Sequence, residues 1–204
     1  NEQCAELNEY VYSRALTQLE NGKLVAVLGG DHSTPLGLIR ALSQKHDDFG
    51  ILQIDAHADL RDSYEGFEFS HASIMHNALQ CEQVSKLVSV GIRDVCEQEM
   101  QTIFNSNERI IAFFDEQLKT KLFNGESWKS VCDSIISELP EKVYISFDID
   151  GLEPSLCPNT GTPVPGGLSF EQASFLIKKV VQSGKTIIGF DLCEVAPSET
   201  EWDT

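Results

Sequence analysis

An α/β fold, a mainly parallel sheet covered by helices on both faces, is predicted by three observations on this 204-residue chain. Short apolar runs alternate with longer helix-like segments in a β-α-β order. The runs are apolar nearly throughout, as strands buried on both faces are. Ionisable clusters follow the runs, at the carboxyl ends where open parallel sheets bind their ligands.

Residues 4–20 read as a helix, and the run 24–28, Leu-Val-Ala-Val-Leu, as the first strand, closed by Gly29-Gly30. A helix over 35–44 opens at Pro35, which suits a first helical turn. The second strand, 50–54, ends in Asp55, and a helix over 71–79 follows a polar loop. Strand 86–91, helix 95–104, strand 109–113 and helix 127–139 come next, and strand 142–147 runs into Asp148. Ser169-Phe-Glu-Gln172 has the pattern of a capping box and starts the helix 169–182, and the last strand, 186–191, ends in Asp191. The Pro- and Gly-rich stretch from Glu153 to Gly167 is too short for a linker and reads as an ordered loop over the site.

A 41% hydrophobic composition allows one substantial core, and residues 1–204 are expected to form a single catalytic domain. No apolar run approaches the roughly 18 residues of a membrane span, and Asn1-Glu-Gln-Cys4 lacks the order of a signal peptide, so a cytoplasmic protein is expected. Six cysteines without a Cys-x-x-Cys pair signal neither a zinc ribbon nor a disulfide framework. A net charge of −17 would repel nucleic acid and attract a small cationic partner.

Asp55-Ala-His57-Ala-Asp59 and Ser146-Phe-Asp148-Ile-Asp150-Gly151 each end an apolar run abruptly in ionisable groups. Buried charge is costly without a partner, and a metal ion is the partner such positions need. Alternate residues of an extended segment share a side, so Asp55 and His57 converge, the following turn brings Asp59 inward, and Asp148 and Asp150 repeat the spacing. Carboxylates and imidazoles without thiolate suit Mn²⁺ ahead of Fe²⁺, Co²⁺ or Zn²⁺. The set is too large for one ion with an open position, so two ions about 3.5 to 4 Å apart are expected. Asp31, just before a helix start, reads as a cap or as a support to ligands, His46 as solvated surface and His76 as a structural histidine. Asp148-Ile-Asp150-Gly151 also fits the nucleophile motif of the aspartyl-phosphate enzymes of the haloacid dehalogenase class. There Thr follows and the motif opens the domain; here Leu152 follows late in the chain, and Asp55, His57 and Asp59 would have no role.

Together, Gly29-Gly-Asp-His32-Ser33, Asp55-Ala-His-Ala-Asp59 and Ser146-Phe-Asp-Ile-Asp150-Gly-Leu-Glu-Pro-Ser155 resemble the three signatures of the ureohydrolases, which include arginase, agmatinase and formiminoglutamase. The similarity continues through Gly161 to Gly167 and Gly189 to Ser198. It implies a three-layer α/β/α fold, a homotrimer or homohexamer, and two Mn²⁺ ions per chain. His32, Asp55, Asp59 and Asp148 would hold one ion, and His57, Asp55, Asp148 and Asp150 the other, with Asp55 and Asp148 bridging. Glu194 matches the glutamate that pairs with the substrate guanidinium, and His71 the loop histidine that shuttles protons, although Ala72 stands where members commonly have Gly. Asp59 would pass a proton to the leaving amine. Members usually have further sequence before the first signature and beyond Glu201-Trp-Asp-Thr204, so this chain, which begins without Met, reads as shortened at both ends.

Arginases usually carry Asn where this chain has Arg61, and Asp55 to Gly66 with Ser70-His-Ala-Ser73 looks most like agmatinases, which cleave agmatine to putrescine and urea. An acidic mouth suits a substrate cationic at both ends. Formiminoglutamases and guanidino-acid hydrolases stay open, since Arg61 would suit a substrate carboxylate; an ion pair of Arg61 with Asp62 or Glu65 is the plainer alternative. A non-catalytic metal-bound paralogue and a metal-dependent phosphatase rank behind these readings.

Overall fold

The computed structural model describes residues 1–197. Ser198, at the end of the last matching stretch, and residues 201–204 lie outside the described residues. Among the described residues the sheet has six strands, all pairs parallel, in the order β1-β6-β5-β2-β3-β4: β1 Val25–Leu28, β2 Phe49–Ile54, β3 Val84–Ile92, β4 Ile110–Phe114, β5 Lys142–Asp148 and β6 Thr186–Cys193. Each strand falls within two residues of its expected bounds. The described helices are α1 Glu2–Glu20, α2 Leu36–Ser43, α3 Ile74–Ala78, α4 Glu97–Phe104, α5 Asp115–Phe123, α6 Trp128–Ser137 and α7 Phe170–Gln182. None is long and apolar enough to cross a membrane.

The strand pleat sorts one apolar run into two cores. On β2, Phe49 and Ile51 face a core shared with α2 and α3, whereas Leu52 and Ile54 face a core shared with α5, α6 and α7. On β5, Tyr144 belongs to the first core, and Val143 and Ile145 to the second. Burial on both faces is why these runs carry no polar alternation. Residues 144, 146 and 148 therefore share one side of β5, which sets Ser146 and Asp148 beside the loop after β1.

Helix α1 starts, and α6 ends, two residues earlier than expected, and three further helical segments differ. Segment 71–79 divides into a 3₁₀ turn, His71–Ser73, and the short α3. The N–H groups of Met75 and His76 both donate to Asp59 O, at 3.0 and 3.1 Å, so the start of α3 is satisfied by the ligand loop instead of by a preceding turn of helix. Helix α4 starts at Glu97, two residues later than predicted, because Glu99 Oε2 accepts the N–H of Cys96 at 2.9 Å and fixes Cys96 as the cap. Helix α5 has no counterpart among the expected elements: it follows β4 with no loop between and buries only Asp115 and Leu118. The capping box on α7 forms as read, with Gln172 N donating to Ser169 Oγ at 3.2 Å and Ser169 N to Gln172 Oε1 at 3.0 Å.

Candidate metal centre

All nine candidate site residues gather at the carboxyl ends of neighbouring strands. Asp55 follows β2, Asp148 ends β5, Asp150 sits in the 3₁₀ turn Ile149–Gly151, and Glu194 follows β6. His32 comes from the loop after β1, and His57, Asp59, Arg61 and His71 from the long connection between β2 and α3. The β2 and β5 segments approach closely because residue 151 is glycine: a Cβ there would lie 2.7 Å from Asp55 N. Asp59 and Glu194 have φ of 55° and 62°, in the left-handed region. Strain of this kind persists where surrounding contacts over-determine it; here Glu194 N donates to Gly30 O at 2.7 Å, and Asp59 O accepts the two α3 donors.

His32 is completely buried, and its Nδ1 lies 3.2 Å from each of three carboxylate oxygens, Asp55 Oδ2, Asp59 Oδ2 and Asp148 Oδ2. No hydrogen bond reaches that nitrogen among the described residues. A buried imidazole nitrogen aimed at the meeting point of three carboxylates is a cation site by its chemistry, so the residues fit a divalent metal. His57 Nδ1 lies 3.1 Å from Asp150 Oδ2 and 3.6 Å from Asp55 Oδ1. Two groups of donor atoms result, His32 with Asp55 and Asp59, and His57 with Asp55 and Asp150; Asp55 belongs to both. Asp148 puts Oδ2 beside His32 and accepts Asp150 N on Oδ1 at 2.9 Å.

Crowding four buried carboxylates sets their acidities apart. Burial, then repulsion from Asp55, pushes the Asp59 carboxyl up to about 7 and that of Asp148 well above the usual range. Asp55 goes the other way: burial opposes ionisation, but the facing His32 and His57 imidazoles and the His57 backbone N–H outweigh it and hold it below the ordinary range. Burial also works against charged histidines, yet Asp150 and Asp55 hold His57 up to about 11, and Asp148, Asp55 and Asp59 raise His32 well above its usual value. Protonated imidazoles thus supply the positive charge that the carboxylates demand.

Around this centre lie residues that motif reading did not assign. Gln53, buried on β2, donates to Asp55 Oδ2 at 2.9 Å and to His57 O at 3.1 Å, and is itself held by Ser89 Oγ at 2.7 Å. Arg93 donates to Gly91 O, Asp150 O, Leu152 O and Val164 O at 2.6 to 3.1 Å, pinning the loop over the site to the Asp150 turn. Thr162 Oγ1 is 3.3 Å from Asp150 Oδ2. A polar residue inside an apolar strand, such as Gln53, was the available signal; the role of Arg93 depends on contacts 57 to 71 residues away in sequence.

A cavity of about 130 Å³ opens beside His57 and Asp59, with His71, Arg61, Tyr64 and Asp94 on its wall. His71 Nδ1 is 3.3 Å from Asp31 Oδ2, and its ring meets Tyr64 edge-on at 5.6 Å. The Asp31 contact raises the His71 pKa, while the Asp31 carboxyl is held down to about 2 by His71 and Ser33, against the effect of burial. Asp31 accepts Ser33 N at 2.8 Å, so it closes the turn before α2 and steadies His71. Glu194 Oε1 accepts His32 N at 2.9 Å. Arg61 pairs with neither Asp62 nor Glu65 among the described residues; its Nε lies 4.0 Å from Glu99 and its guanidinium sits over Tyr64 at 5.2 Å.

Comparison with known proteins places this geometry. The model of the arginase family matches residues 1–204. The chain belongs to the arginase family. It is 36% identical over 193 residues to N(1)-aminopropylagmatine ureohydrolase of Thermus thermophilus, covering 95% of this chain and 62% of that protein. It is 34% identical over 205 residues to guanidinobutyrase of Pseudomonas aeruginosa, covering 96% of this chain and 59% of the relative. The crystal structure of agmatine ureohydrolase of Thermoplasma volcanium superposes with a TM-score of 0.82 at 29% identity, over 100% of this chain and 65% of that one. The chain therefore spans less than two thirds of the length of these relatives, and across that span its sheet and helices share the arginase-family fold.

Proposed function

We propose that this chain carries a binuclear metal centre that hydrolyses a guanidino compound to urea and an amine, with agmatine as the first substrate to consider. The observation that carries the reading is the shared carboxylate: Asp55 turns one oxygen to the His32 group and the other to the His57 group, with Glu194 and His71 beside them. His32, Asp55, Asp59 and Asp148 would hold one ion and His57, Asp55, Asp148 and Asp150 the other. Mn²⁺ is the favoured metal because no thiolate is among the donors. Two such ions, when bound, would supply a hydroxide nucleophile at neutral pH.

The chain's own residues supply the rest. Glu194 has Oε1 fixed by a backbone N–H, which leaves Oε2 to receive a guanidinium and aim its carbon at the centre. Asp59, which turns Oδ2 toward the first ion position, is suited to take a proton on its other oxygen and deliver it to the leaving nitrogen. His71, at the cavity wall and tethered by Asp31, would exchange that proton with solvent.

The relatives support an agmatine-type substrate, including its aminopropyl derivative, and guanidinobutyrate as a second reading. For the second, the observation is Arg61: it stands at the cavity with only a 4.0 Å contact to Glu99, whose oxygens already accept Leu60 N and Cys96 N. Assembly as a homotrimer or homohexamer belongs to the same proposal. Urea release from agmatine, N(1)-aminopropylagmatine, guanidinobutyrate and arginine with Mn²⁺ present tests it. Fastest turnover is expected on agmatine or its aminopropyl derivative; no urea from any of the four would end the proposal.

A further inference from the structure

Beneath the centre lies a buried chain of hydrogen bonds that no proton-transfer step uses. His32 Nε2, on the far side of the ring from the carboxylates, is 2.9 Å from Ser146 Oγ. Ser146 stands opposite Asp191 in the β5–β6 register; burial raises the Asp191 pKa, and His32, Tyr144 and the Ser146 hydroxyl oppose that rise by stabilising its ionised form. Tyr144 Oη donates to Asp191 Oδ2 at 2.6 Å, and Phe147 N donates to Asp191 Oδ1 at 3.2 Å. Asp191 Oδ1 is itself 3.7 Å from His32 Nε2. All four side chains, His32, Ser146, Asp191 and Tyr144, have at most 1% of their surface exposed. Tyr144 and Ser146 leave β5 on the same side, and β6 brings Asp191 into register opposite Ser146.

We infer that Ser146, Asp191 and Tyr144 are positioning residues that fix the tautomer of His32, and so decide whether the first metal site exists. The polarity of the chain follows from its end. A carboxylate only accepts, so the Tyr144 hydroxyl and the Ser146 hydroxyl both point their hydrogens at Asp191. With its hydrogen committed, Ser146 Oγ presents only lone pairs to His32, and Nε2 must carry the proton and donate. In the neutral ring that remains once a cation has displaced the second proton, Nδ1 is then the bare nitrogen, facing the three carboxylate oxygens. The opposite tautomer would put N–H into the position a cation would take and leave Nε2 without a donor. Orientation of a ligating histidine through its other nitrogen is a general device; here a serine and a tyrosine-held aspartate perform it. The second group has no such brace: His57 Nε2 meets only the largely exposed Asp94, at 3.9 Å, among the described residues.

This inference rests on the metal-centre reading, and it is tested by binding instead of turnover. Metal-free wild type and the variants Asp191→Asn, Ser146→Ala and Tyr144→Phe are titrated with Mn²⁺, followed by calorimetry and electron paramagnetic resonance, with far-ultraviolet circular dichroism as the check on folding. Asn at 191 keeps the shape but can donate, which reverses the chain. Asp191→Asn and Ser146→Ala are expected to weaken one of the two ions by about tenfold to a hundredfold. The other ion stays near wild-type affinity, and the spin-coupled two-ion spectrum gives way to that of an isolated ion. Tyr144→Phe loses less, since Asp191 keeps the Phe147 N–H and the Cys193 thiol as donors beside Ser146. Wild-type affinity for both ions in Asp191→Asn and Ser146→Ala, or an equal loss at both, overturns the inference. If Asp191→Asn does not fold, Ser146→Ala, which removes a single oxygen, decides alone. A wild type that takes up no Mn²⁺ overturns the metal-centre reading, and this inference with it.

Discussion

Without metal, the centre is held together by protons, and that has a thermodynamic sign. His57 and Asp59 both have folded-state pKa values above their ordinary ones, at about 11 and about 7. A raised pKa contributes stability that is complete below the ordinary value and is lost as pH rises through the raised one. Asp55 is shifted the other way, but its contribution is already constant above pH ~5. Stability against melting in the presence of a chelator is therefore expected to fall steadily from pH 6 to 9, and Mn²⁺ affinity to tighten over the same interval, because ions displace those protons. A flat melting profile with a pH-independent dissociation constant would contradict the arrangement. Glu194→Gln separates anchoring from metal binding: urea release is expected to drop by about a hundredfold or more, as when a reacting group is no longer held in line, with metal content unchanged. Asp148→Ala is expected to empty both ion positions, since Oδ2 faces His32 and Oδ1 holds the Asp150 turn. The candidate donors were legible because acids and histidines at strand ends have few structural uses. Gln53 and Arg93 were not, since each acts through atoms that a local spacing does not connect to it.

Elements contribute by where they stop. The β2 and β5 ends can approach only because Gly151 has no side chain; in Gly151→Ala a Cβ would sit 2.7 Å from Asp55 N and 2.9 Å from Ile54 C, both backbone atoms that cannot step aside. This variant is expected to lose on the order of 1–3 kcal/mol and most of its Mn²⁺ uptake; unchanged uptake in calorimetry would show that the approach does not matter. At β3 the register with β4 shifts between Val90 and Ile92, around Gly91 at φ 94°, and Ile92 consequently packs with the first core although Val88 and Val90 belong to the second. The shift aims Arg93 back under the Asp150 turn. The capping box of α7 lies far from the centre, so Ser169→Ala should lower stability by about 1 kcal/mol, read as a drop of a few degrees in Tm, while leaving Mn²⁺ affinity untouched. Strand positions were readable because double-sided burial writes continuous apolar runs. Helix α5 was not, as it lies against the sheet through Leu118 and otherwise has a mostly polar surface.

Across the whole molecule the two sides of the sheet are unevenly covered. Leu24, Phe170, Val181 and Phe190 border an apolar groove of about 580 Å³ running over β5, β6 and α7, and each of these four side chains is at least 38% exposed. A parallel sheet ordinarily has both faces covered, and contiguous exposed apolar surface of this kind associates or binds apolar ligands. The 204-residue chain is therefore expected to enhance the fluorescence of anilinonaphthalene sulfonate in its native state, with Phe190→Glu reducing the signal. A native chain that leaves the dye dark would show the groove to be covered in solution.

Sequence alone determined the fold class, the strand positions and which carboxylates and imidazoles were candidates, because each is a local property: an apolar run, a spacing of two, a charge where the strand ends. Tertiary structure alone decided that Asp55 lies between the two histidines, that His32 is braced from behind by Ser146 and Asp191, and that Arg61 leans on Glu99 and Tyr64. Those outcomes depend on which strands become neighbours and how closely their ends approach, and a linear spacing carries no information about either.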